Sequence, residues 1–417
     1  MYEIQKLPNG LRVITEHLPY VRSVSIGIWL GTGSMHEKPS ENGLSHFLEH
    51  MLFKGTDKRT ARSVAEEMDR VGAQINAFTS KECTCYYAKA VDEHLATAFD
   101  VLSDLVLNAS LPEDELNKER GVILEEIAMQ EDSPEDLVHD LLSEAVFRGH
   151  PLALPILGTT EKIENYSRAD LKKYKDTHYR PNNCVLSVAG NFDKAELWKL
   201  IESTLGGWKA EGEDVVVDKP EGFQANLIAK TKDIEQVHIC LGFPGVALGS
   251  DDSYAISIFN NIYGGGMSSR LFQRIREELG MAYSVYTYPS MMPGIGMMTV
   301  YAGTSQQHVE QVLSQLRGET ARLIADGVSA DEFQMAKEQL KGGFILGLES
   351  SSARMSNIGR SLLLLDHVRT ETEVLDAIAK VTPEQMMRVA GECVLAPHSA
   401  TIVGRAAERV PAEWLMS

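Results

Sequence analysis

The chain has 417 residues, which is too long for one ordinary hydrophobic core, and its 43% hydrophobic and 24% charged residues are typical of a globular protein. It contains no apolar run near the roughly 18 residues that span a membrane, and its formal net charge of −19 argues against binding to nucleic acid or to acidic membranes. Two or more domains are expected, and the negative charge either attracts cationic peptides or only keeps the protein soluble.

The N-terminus and the cysteines together predict a reducing, cytoplasmic location. Residues 1–18 lack the basic and apolar regions of a signal peptide and the Arg- and Ser-rich pattern of a transit peptide. Cysteines occupy five positions, an odd and sparse set that argues against a disulfide framework: Cys83, Cys85, Cys184, Cys240 and Cys393. The first two share one face of a predicted strand, and we interpret them as packing residues.

The first half of the chain contains strand and helix patterns in an irregular order. Alternating residues from about 3 to 30 predict strands, which end at a polar loop beginning at Gly31. Helical periodicity, capping residues such as Thr60 and early prolines then predict helices over about 43–53, 60–71, 93–108, 112–130, from 133–134 onward, and 193–205. Strand patterns occupy 74–90 and 184–190. Strands followed by runs of helices favour an α+β fold over a doubly wound sheet.

A charged stretch with glycine and proline but no helical stripe, residues 208–225, divides the chain nearly in half. The halves resemble each other, because residues 23–34 share their pattern with 236–247 and each half closes with a similar strand. We predict two homologous domains, each a mixed or antiparallel sheet packed with helices, and a linker between them: residues 1–210, the linker 211–224, and residues 225–417.

Residues 45–56, SHFLEHMLFKGT, contain two histidines four positions apart. On a helix, His46 and His50 lie one turn apart on the same side, which suits two ligands of one tetrahedral metal ion. Glu49 lies beside them, where it can hold a water instead of binding the metal, and the order H-x-x-E-H is the inverted zinc-protease signature. The motif also arises by chance, and such histidines can simply be polar surface residues.

A catalytic zinc site needs a third protein ligand, and the predicted helix 112–130 offers one. Glu119 and Glu126 share a helix face to within about 20°, and Val122 between them suggests that this face is partly buried. A half-buried carboxylate needs a partner, which a metal would supply. Glu125 points about 100° away from this face and is expected to contact solvent.

These residues resemble the pitrilysin, or insulinase, family of metallopeptidases. In that family a metal-binding glutamate follows H-x-x-E-H at the distance that leads from His50 to Glu126, 76 residues on, and a second glutamate corresponds to Glu119. The sequences HFLEHMLFKGT and GAQINAFTSKECT are similar to the short processing-peptidase branch, like a bacterial homologue of the mitochondrial beta subunit. Arg276 and Tyr283 match a family pair that contacts the substrate, so the resemblance spans essentially the whole chain.

The resemblance implies a zinc-dependent endopeptidase with one Zn²⁺ per chain. It assigns the metal to His46, His50 and Glu126, the general base to Glu49, and further catalytic roles to Glu119, Arg276 and Tyr283. Glu119 would orient a ligand histidine, although a charge on the helix surface is the alternative. Tyr283 would help to stabilise the oxyanion of the tetrahedral intermediate.

The resemblance also implies a substrate site. An edge strand would add the peptide through backbone hydrogen bonds, and its residues include Asn76, Ala77 and Phe78. Phe53 would line the pocket just after the cleaved bond, or it would belong to the hydrophobic core. Asp136 and Asp140, four apart on a predicted helix, would bind an arginine near the cut, or they would form a solvated acidic face.

The resemblance further implies that the two homologous domains form half of a clamshell, and that two chains form a homodimer around a closed chamber. At the offset of the duplication, His46 and His50 correspond to Ile258 and Ile262, so the second half is expected to hold no metal.

The sequence therefore predicts an endopeptidase that acts on peptides or unfolded segments, with a preference for basic residues near the cut. A non-catalytic scaffold that retains a structural metal is the alternative, but an intact Glu49 argues against it, since a structural site needs no base. A peptide-binding module, or an active subunit that requires a different partner chain, also remains open.

Overall fold

The computed structural model describes residues 2–209 and 220–416, so most of the predicted linker 211–224 lies outside the described residues. The strands in chain order are β1 (Tyr2–Lys6), β2 (Arg12–His17), β3 (Ser23–Leu30), β4 (Gln74–Thr79), β5 (Thr84–Val91), β6 (Cys184–Gly190), β7 (Leu227–Thr231), β8 (Gln236–Gly245), β9 (Ala282–Met292), β10 (Ile295–Ser305) and β11 (Ser399–Gly404). The predicted strand stretch 74–90 is therefore a pair of strands joined by a turn at 80–83.

The helices in chain order are α1 (Leu44–Leu52), α2 (Ala61–Arg70), α3 (Leu95–Asn108), α4 (Glu113–Asp132), α5 (Pro134–Val146), α6 (Thr160–Asn165), α7 (Arg168–His178), α8 (Lys194–Leu205), α9 (Ser253–Tyr263), α10 (Val309–Asp326), α11 (Ala330–Gly347), α12 (Ser351–Leu365), α13 (Glu371–Lys380), α14 (Pro383–Val394) and α15 (Ala412–Met416). The six helices predicted in the first half agree with the structure to within a few residues, whereas α6 and α7 of that half were not predicted. The predicted cap at Thr60 is confirmed, because its side chain accepts a hydrogen bond from the backbone N–H of Ser63 at 3.2 Å.

Two sheets share one topology. The first has the strand order β1-β2-β6-β3-β5-β4, in which β2 and β6 run parallel and the other neighbours run antiparallel. The second has the order β7-β11-β8-β10-β9, in which β7 and β11 run parallel and the other neighbours run antiparallel. Apart from the additional edge strand β1, the two sheets correspond strand by strand. This repeat confirms the predicted α+β fold with two homologous domains.

The described residues form two compact units, each built from three segments of the chain. Unit 1 contains residues 2–128, 154–209 and 346–370, and unit 2 contains residues 129–153, 220–345 and 371–416. Unit 1 thus includes α12 from the second half of the sequence, and unit 2 includes α5 from the first half. The domains predicted from the sequence are continuous and do not include this exchange of helices between the units. An amphipathic pattern does not reveal which sheet a helix covers.

In unit 1, α12 packs across β3 and β6. Beneath it, Trp29 Nε1 donates a hydrogen bond to Ser187 Oγ at 2.8 Å. A Cβ atom at Gly359 would lie 2.3 Å from Trp29 Nε1, so this close approach of helix and sheet requires glycine. Cys83 and Cys85 are buried, unpaired thiols of the same apolar cluster, which confirms them as packing residues.

The opposite face of the first sheet carries the larger core of unit 1. There Val24, Ile26 and Ile28 of β3 belong to one cluster with Phe47 of α1 and Phe99 of α3. Since α1 packs into this core, its remaining surface is left for polar side chains. Among the residues that the structure describes, no helix combines the length and the apolar character needed to cross a bilayer.

Candidate active site

The helix that carries the H-x-x-E-H motif has one apolar face and one polar face. Leu44, Phe47, Leu48 and Met51 of α1 are buried in the core of unit 1. Since side chains three and four positions apart share a helix face, His46, Glu49 and His50 are left together on the other side. All three are half-buried, so their polar groups lie at the edge of the core.

A buried carboxylate fixes the start of this helix. Glu37 accepts hydrogen bonds from the backbone N–H groups of Gly43 at 2.8 Å and Ser45 at 2.7 Å, and from the Asn42 side chain at 3.2 Å. A negative charge at a helix N-terminus also interacts favourably with the helix dipole. No pattern in the sequence points to Glu37, because the residue lies in a loop and shows no spacing that links it to the helix.

The titration of Glu37 leads to a testable prediction about stability. Burial raises the pKa of this carboxyl from 4.5 to about 7, outweighing the N–H donors that lower it. Because the unfolded chain loses this proton at the lower pH, the unfolded state binds fewer protons than the folded state across the interval between the two values. The stabilising effect of the protonated group is therefore complete below pH 4.5 and is lost as the pH rises through about 7.

The quantity to follow is the free energy of unfolding of the wild type minus that of Glu37→Gln. We expect this difference to fall by about 3 kcal/mol from acid to neutral pH and then to level off. Urea unfolding of both proteins, metal-free and at several pH values, measures this difference. Equal pH profiles for the two proteins would show that Glu37 does not titrate in this interval.

Three side chains in unit 1 converge in the arrangement of a metal site. The Nε2 atoms of His46 and His50 lie 3.7 Å and 3.6 Å from Glu126 Oε2, and the two imidazole centroids are 4.6 Å apart. Neighbouring ligands of a tetrahedral zinc ion are separated by about 3.4 Å, given the usual zinc–ligand distances. In residues 2–209 and 220–416, these three side chains form the only group of this kind.

The donor atoms of this group suit zinc. Burial and the neighbouring His50 lower the pKa of His46 to about 3, which keeps its ring neutral with a lone pair available. His46 Nδ1 is buried and makes no hydrogen bond to any described residue. Two imidazoles and one carboxylate, with no fourth protein ligand, form the donor set of catalytic zinc sites.

Glu119 stands behind the metal group. Its Oε2 lies 3.0 Å from His50 Nδ1, and its side chain is only 9% exposed. A carboxylate can only accept this hydrogen bond, so Nδ1 donates and Nε2 is left with the lone pair that a metal requires. The contact supports the predicted orienting role of Glu119 over a solvated charge on the helix surface.

The expectation that Val122 lies on a partly buried face of α4 was wrong. Val122 is 44% exposed, so it does not mark the buried face of α4. The buried face centres on Leu116, Ile123 and Ile127. At 100° per residue, Val122 lies on the far side of Glu119 from these residues. Glu126 is partly exposed on the same edge, and Glu125 is exposed as predicted.

Glu49 is linked to the edge of the first sheet. Its Oε2 accepts a hydrogen bond from Thr79 Oγ1, and burial raises the pKa of the Glu49 carboxyl. Thr79 ends β4, which pairs only with β5 among the described strands. The predicted edge strand is therefore confirmed. Thr79 falls within the predicted strand stretch 74–90, but no pattern in the sequence indicates its contact with Glu49, because the two residues are 30 positions apart.

Three of the four residues of unit 1 that are predicted to contact substrate belong to this edge strand, and the fourth is Phe53. Asn76 and Phe78 point to one side of β4 and are exposed, while Ala77 points to the other side and packs against the core. Phe53 follows α1 directly, is half-buried, and has its ring centroid 6.2 Å from that of Tyr86. This packing agrees with the core interpretation of Phe53, and its role towards substrate stays a prediction.

Other predicted residues belong to unit 2. Arg276 lies in a π-helical segment, Phe272–Glu278, and its Cζ atom is 5.1 Å from the ring centroid of Tyr283. Tyr283 is 75% exposed at the start of β9. The structure thus brings this pair together, with the cation over the face of the ring.

Asp136 and Asp140 of α5 also lie in unit 2, as do Ile258 and Ile262, the counterparts of His46 and His50 in the second half. Asp136 is exposed, whereas Asp140 accepts a hydrogen bond from Gln130 Nε2 at 2.7 Å. Ile258 and Ile262 of α9, at the positions that correspond to the two histidines, are buried apolar residues whose side chains offer no metal ligand.

Comparison with known proteins links both parts of the sequence to one group. Residues 12–160 match the family profile described as "Insulinase (Peptidase family M16)", and residues 165–340 match "Peptidase M16 inactive domain". The uncharacterized zinc protease YmxG of Bacillus subtilis is 44% identical over 395 residues, covering 95% of this chain and 96% of that protein. An uncharacterized zinc protease of Mycobacterium leprae is 39% identical over 402 residues, covering 95% and 90%.

Solved structures share the fold. A protease from Helicobacter pylori superposes with a TM-score of 0.90 at 22% identity, covering 97% of this chain and 99% of that one. A structure from Pseudomonas fluorescens described as a peptidase M16 inactive domain also reaches a TM-score of 0.90, at 18% identity, covering 97% and 98%. At such identities the similarity concerns the fold alone.

Proposed function

Because the chain belongs to the insulinase family of peptidases, family M16, we propose that it is a zinc-dependent endopeptidase that cleaves peptides or unfolded segments. The observation that carries this proposal is the group of His46, His50 and Glu126, with Glu49 on the same helix face and outside the ligand set. A purely structural metal site has no use for such a base.

Side chains of the protein itself carry out the proton transfers of the proposed reaction. When bound, zinc would polarise the substrate carbonyl and lower the pKa of a water to about 7. Glu49 takes a proton from the attacking water and delivers it to the leaving nitrogen of the peptide. Thr79 holds the Glu49 carboxylate by its hydrogen bond, and Glu119 holds the His50 ring.

The edge strand β4 supports a mode of substrate binding. It ends at Thr79, which contacts the base, and on its free side it pairs with no other strand that the structure describes. A substrate that adds to β4 as an extra strand would extend its backbone towards Glu49, and this mode tolerates many side chains. Phe53, which follows the metal helix directly, would line the pocket after the cleaved bond.

Three finer features of the proposal rest on the resemblance to the processing-peptidase beta subunit. Asp136 and Asp140 would favour a basic residue near the cut, in keeping with the acidic balance of the chain. Arg276 and Tyr283 would contact the substrate together, since the Arg276 guanidinium lies over the Tyr283 ring. Two copies of the chain would form a closed chamber as a homodimer.

Cleavage of a fluorescence-quenched peptide that contains arginine tests the proposal. We expect the wild type to cleave it, a zinc chelator to stop cleavage and added zinc to restore it. A matched peptide with methionine in place of arginine should be cleaved several-fold more slowly. If the protein binds one zinc per chain yet cleaves nothing across a peptide library, the peptidase proposal fails and a scaffold with a structural metal replaces it.

A further inference from the structure

We propose that Lys54 is a positioning residue of the metal site, which acts through Glu119 on the ring of His50. This inference rests on the proposed function, because it assigns Lys54 a role in the same site. Lys54 Nζ lies 2.6 Å from Glu119 Oε1, and the other oxygen of that carboxylate lies 3.0 Å from His50 Nδ1. The three side chains therefore form one continuous chain of contacts that ends at a metal ligand.

The backbone places Lys54 for this contact. Helix α1 ends at Leu52, and the N–H of Lys54 donates to the carbonyl oxygen of Met51 at 3.2 Å, which continues the last turn. His50 and Lys54 are four positions apart, so on this continued turn their side chains point to the same side. Glu119 comes from α4 and meets both side chains, which ties the two helices together at the metal site.

The contacts with Lys54 and His50 together fix the orientation of the Glu119 carboxylate. A carboxylate with one strong partner can still rotate about its last bond, whereas an ammonium group on one oxygen and an imidazole on the other define its plane. The Glu119 side chain is 9% exposed and that of Lys54 is 25% exposed, so both groups are shielded from much of the competing water. Among the described residues, the ion pairs of Glu119 are those with Lys54 and His50.

A merely structural role for Lys54 predicts something different. A lysine at the C-terminal end of a helix stabilises the helix through its dipole, and an ion pair between two helices stabilises their packing. Either effect would lower the stability of the folded chain when Lys54 is replaced, but neither would depend on His50 or alter the affinity for a metal. Metal affinity therefore separates the two roles.

The test compares zinc affinity, measured by competition with a chromophoric chelator, in the wild type, Lys54→Met and Lys58→Met. Lys58 is an exposed lysine of the same loop and serves as the matched control. We expect Lys54→Met to bind zinc about 10- to 100-fold more weakly, Lys58→Met to match the wild type, and Lys54→Arg to recover most of the loss. The cobalt-substituted protein should show a changed visible spectrum in Lys54→Met alone.

A double-mutant comparison shows whether Lys54 acts through Glu119. In the background of Glu119→Gln, Lys54→Met should cause little further loss of zinc affinity, because the contact through which it acts is already altered. Equal zinc affinity in Lys54→Met and the wild type, or fully additive losses in the double variant, would overturn the inference. If Lys54→Met does not fold, Lys54→Gln carries the same comparison.

The outcomes also separate this inference from the proposed function. A wild type that binds zinc but cleaves no peptide overturns the peptidase proposal, while the affinity comparison still decides the role of Lys54. A wild type that cleaves peptides, together with a Lys54→Met variant of unchanged zinc affinity and unchanged kcat, overturns only the role of Lys54.

Discussion

Glu49→Gln is expected to lower kcat for peptide cleavage by about 1,000-fold or more while the protein keeps its zinc. The substitution preserves the size of the side chain, and the amide oxygen of glutamine can still accept the hydrogen bond from Thr79 Oγ1. What it removes is the ability to take a proton from water and return it to the leaving nitrogen. The proposed ligands His46, His50 and Glu126 are unchanged, so the metal should stay bound.

The measurement is kcat on the quenched arginine peptide, together with the zinc content of the same preparation. The matched control is Glu66→Gln, which removes an exposed carboxylate of α2 that pairs with Arg62. It should retain the activity of the wild type. If Glu49→Gln keeps zinc and more than a tenth of the wild-type kcat, another group must be the base.

Glu126→Gln is expected to weaken zinc binding by more than about 100-fold, since loss of a direct ligand should exceed the effect of losing a residue that only supports one. The neutral amide is a much poorer ligand than the carboxylate whose oxygen lies 3.6 Å and 3.7 Å from the two histidine nitrogens. Cleavage should vanish at limiting zinc and return in part when zinc is raised.

The substitution Glu125→Gln provides the control. It removes the same charge one position away on α4, from a side chain that is exposed. Thermal unfolding gives a second measurement. Zinc should raise the unfolding temperature of the wild type and of Glu125→Gln, and should have little effect on Glu126→Gln. Equal shifts in all three proteins would exclude Glu126 from the metal site.

The sequence was sufficient for most elements of the first half and for the helix that carries H-x-x-E-H, because both depend on local spacing. The four-residue interval between His46 and His50 on an amphipathic helix predicts their convergence without any tertiary information. Glu126 was predicted as a ligand partly from the premise that Val122 is buried, and this premise is wrong because Val122 is exposed. One apolar residue does not define the buried face of a helix whose two edges are both mixed in polarity.

The contacts that the sequence did not predict join residues of different helices, strands and loops. Thr79 reaches Glu49 from an edge strand, Lys54 meets Glu119 across two helices, and Glu37 binds a helix terminus from a loop. Each depends on how elements pack, and periodicity carries no information about that packing. The exchange of α5 and α12 between the units was missed for the same reason.

That exchange has a consequence for the order of events during protein synthesis. The sheet that carries the candidate active site is complete once residues 184–190 have left the ribosome, but the cover over its face around Trp29 includes α12, Ser351–Leu365, and Val368 just after it. Until translation has passed residue 365, the nascent chain exposes an apolar surface on this sheet, and such surfaces attract chaperones and other nascent chains. The N-terminal half therefore cannot mature first and wait for the rest, so native packing around the site arises only when nearly the whole chain has been made.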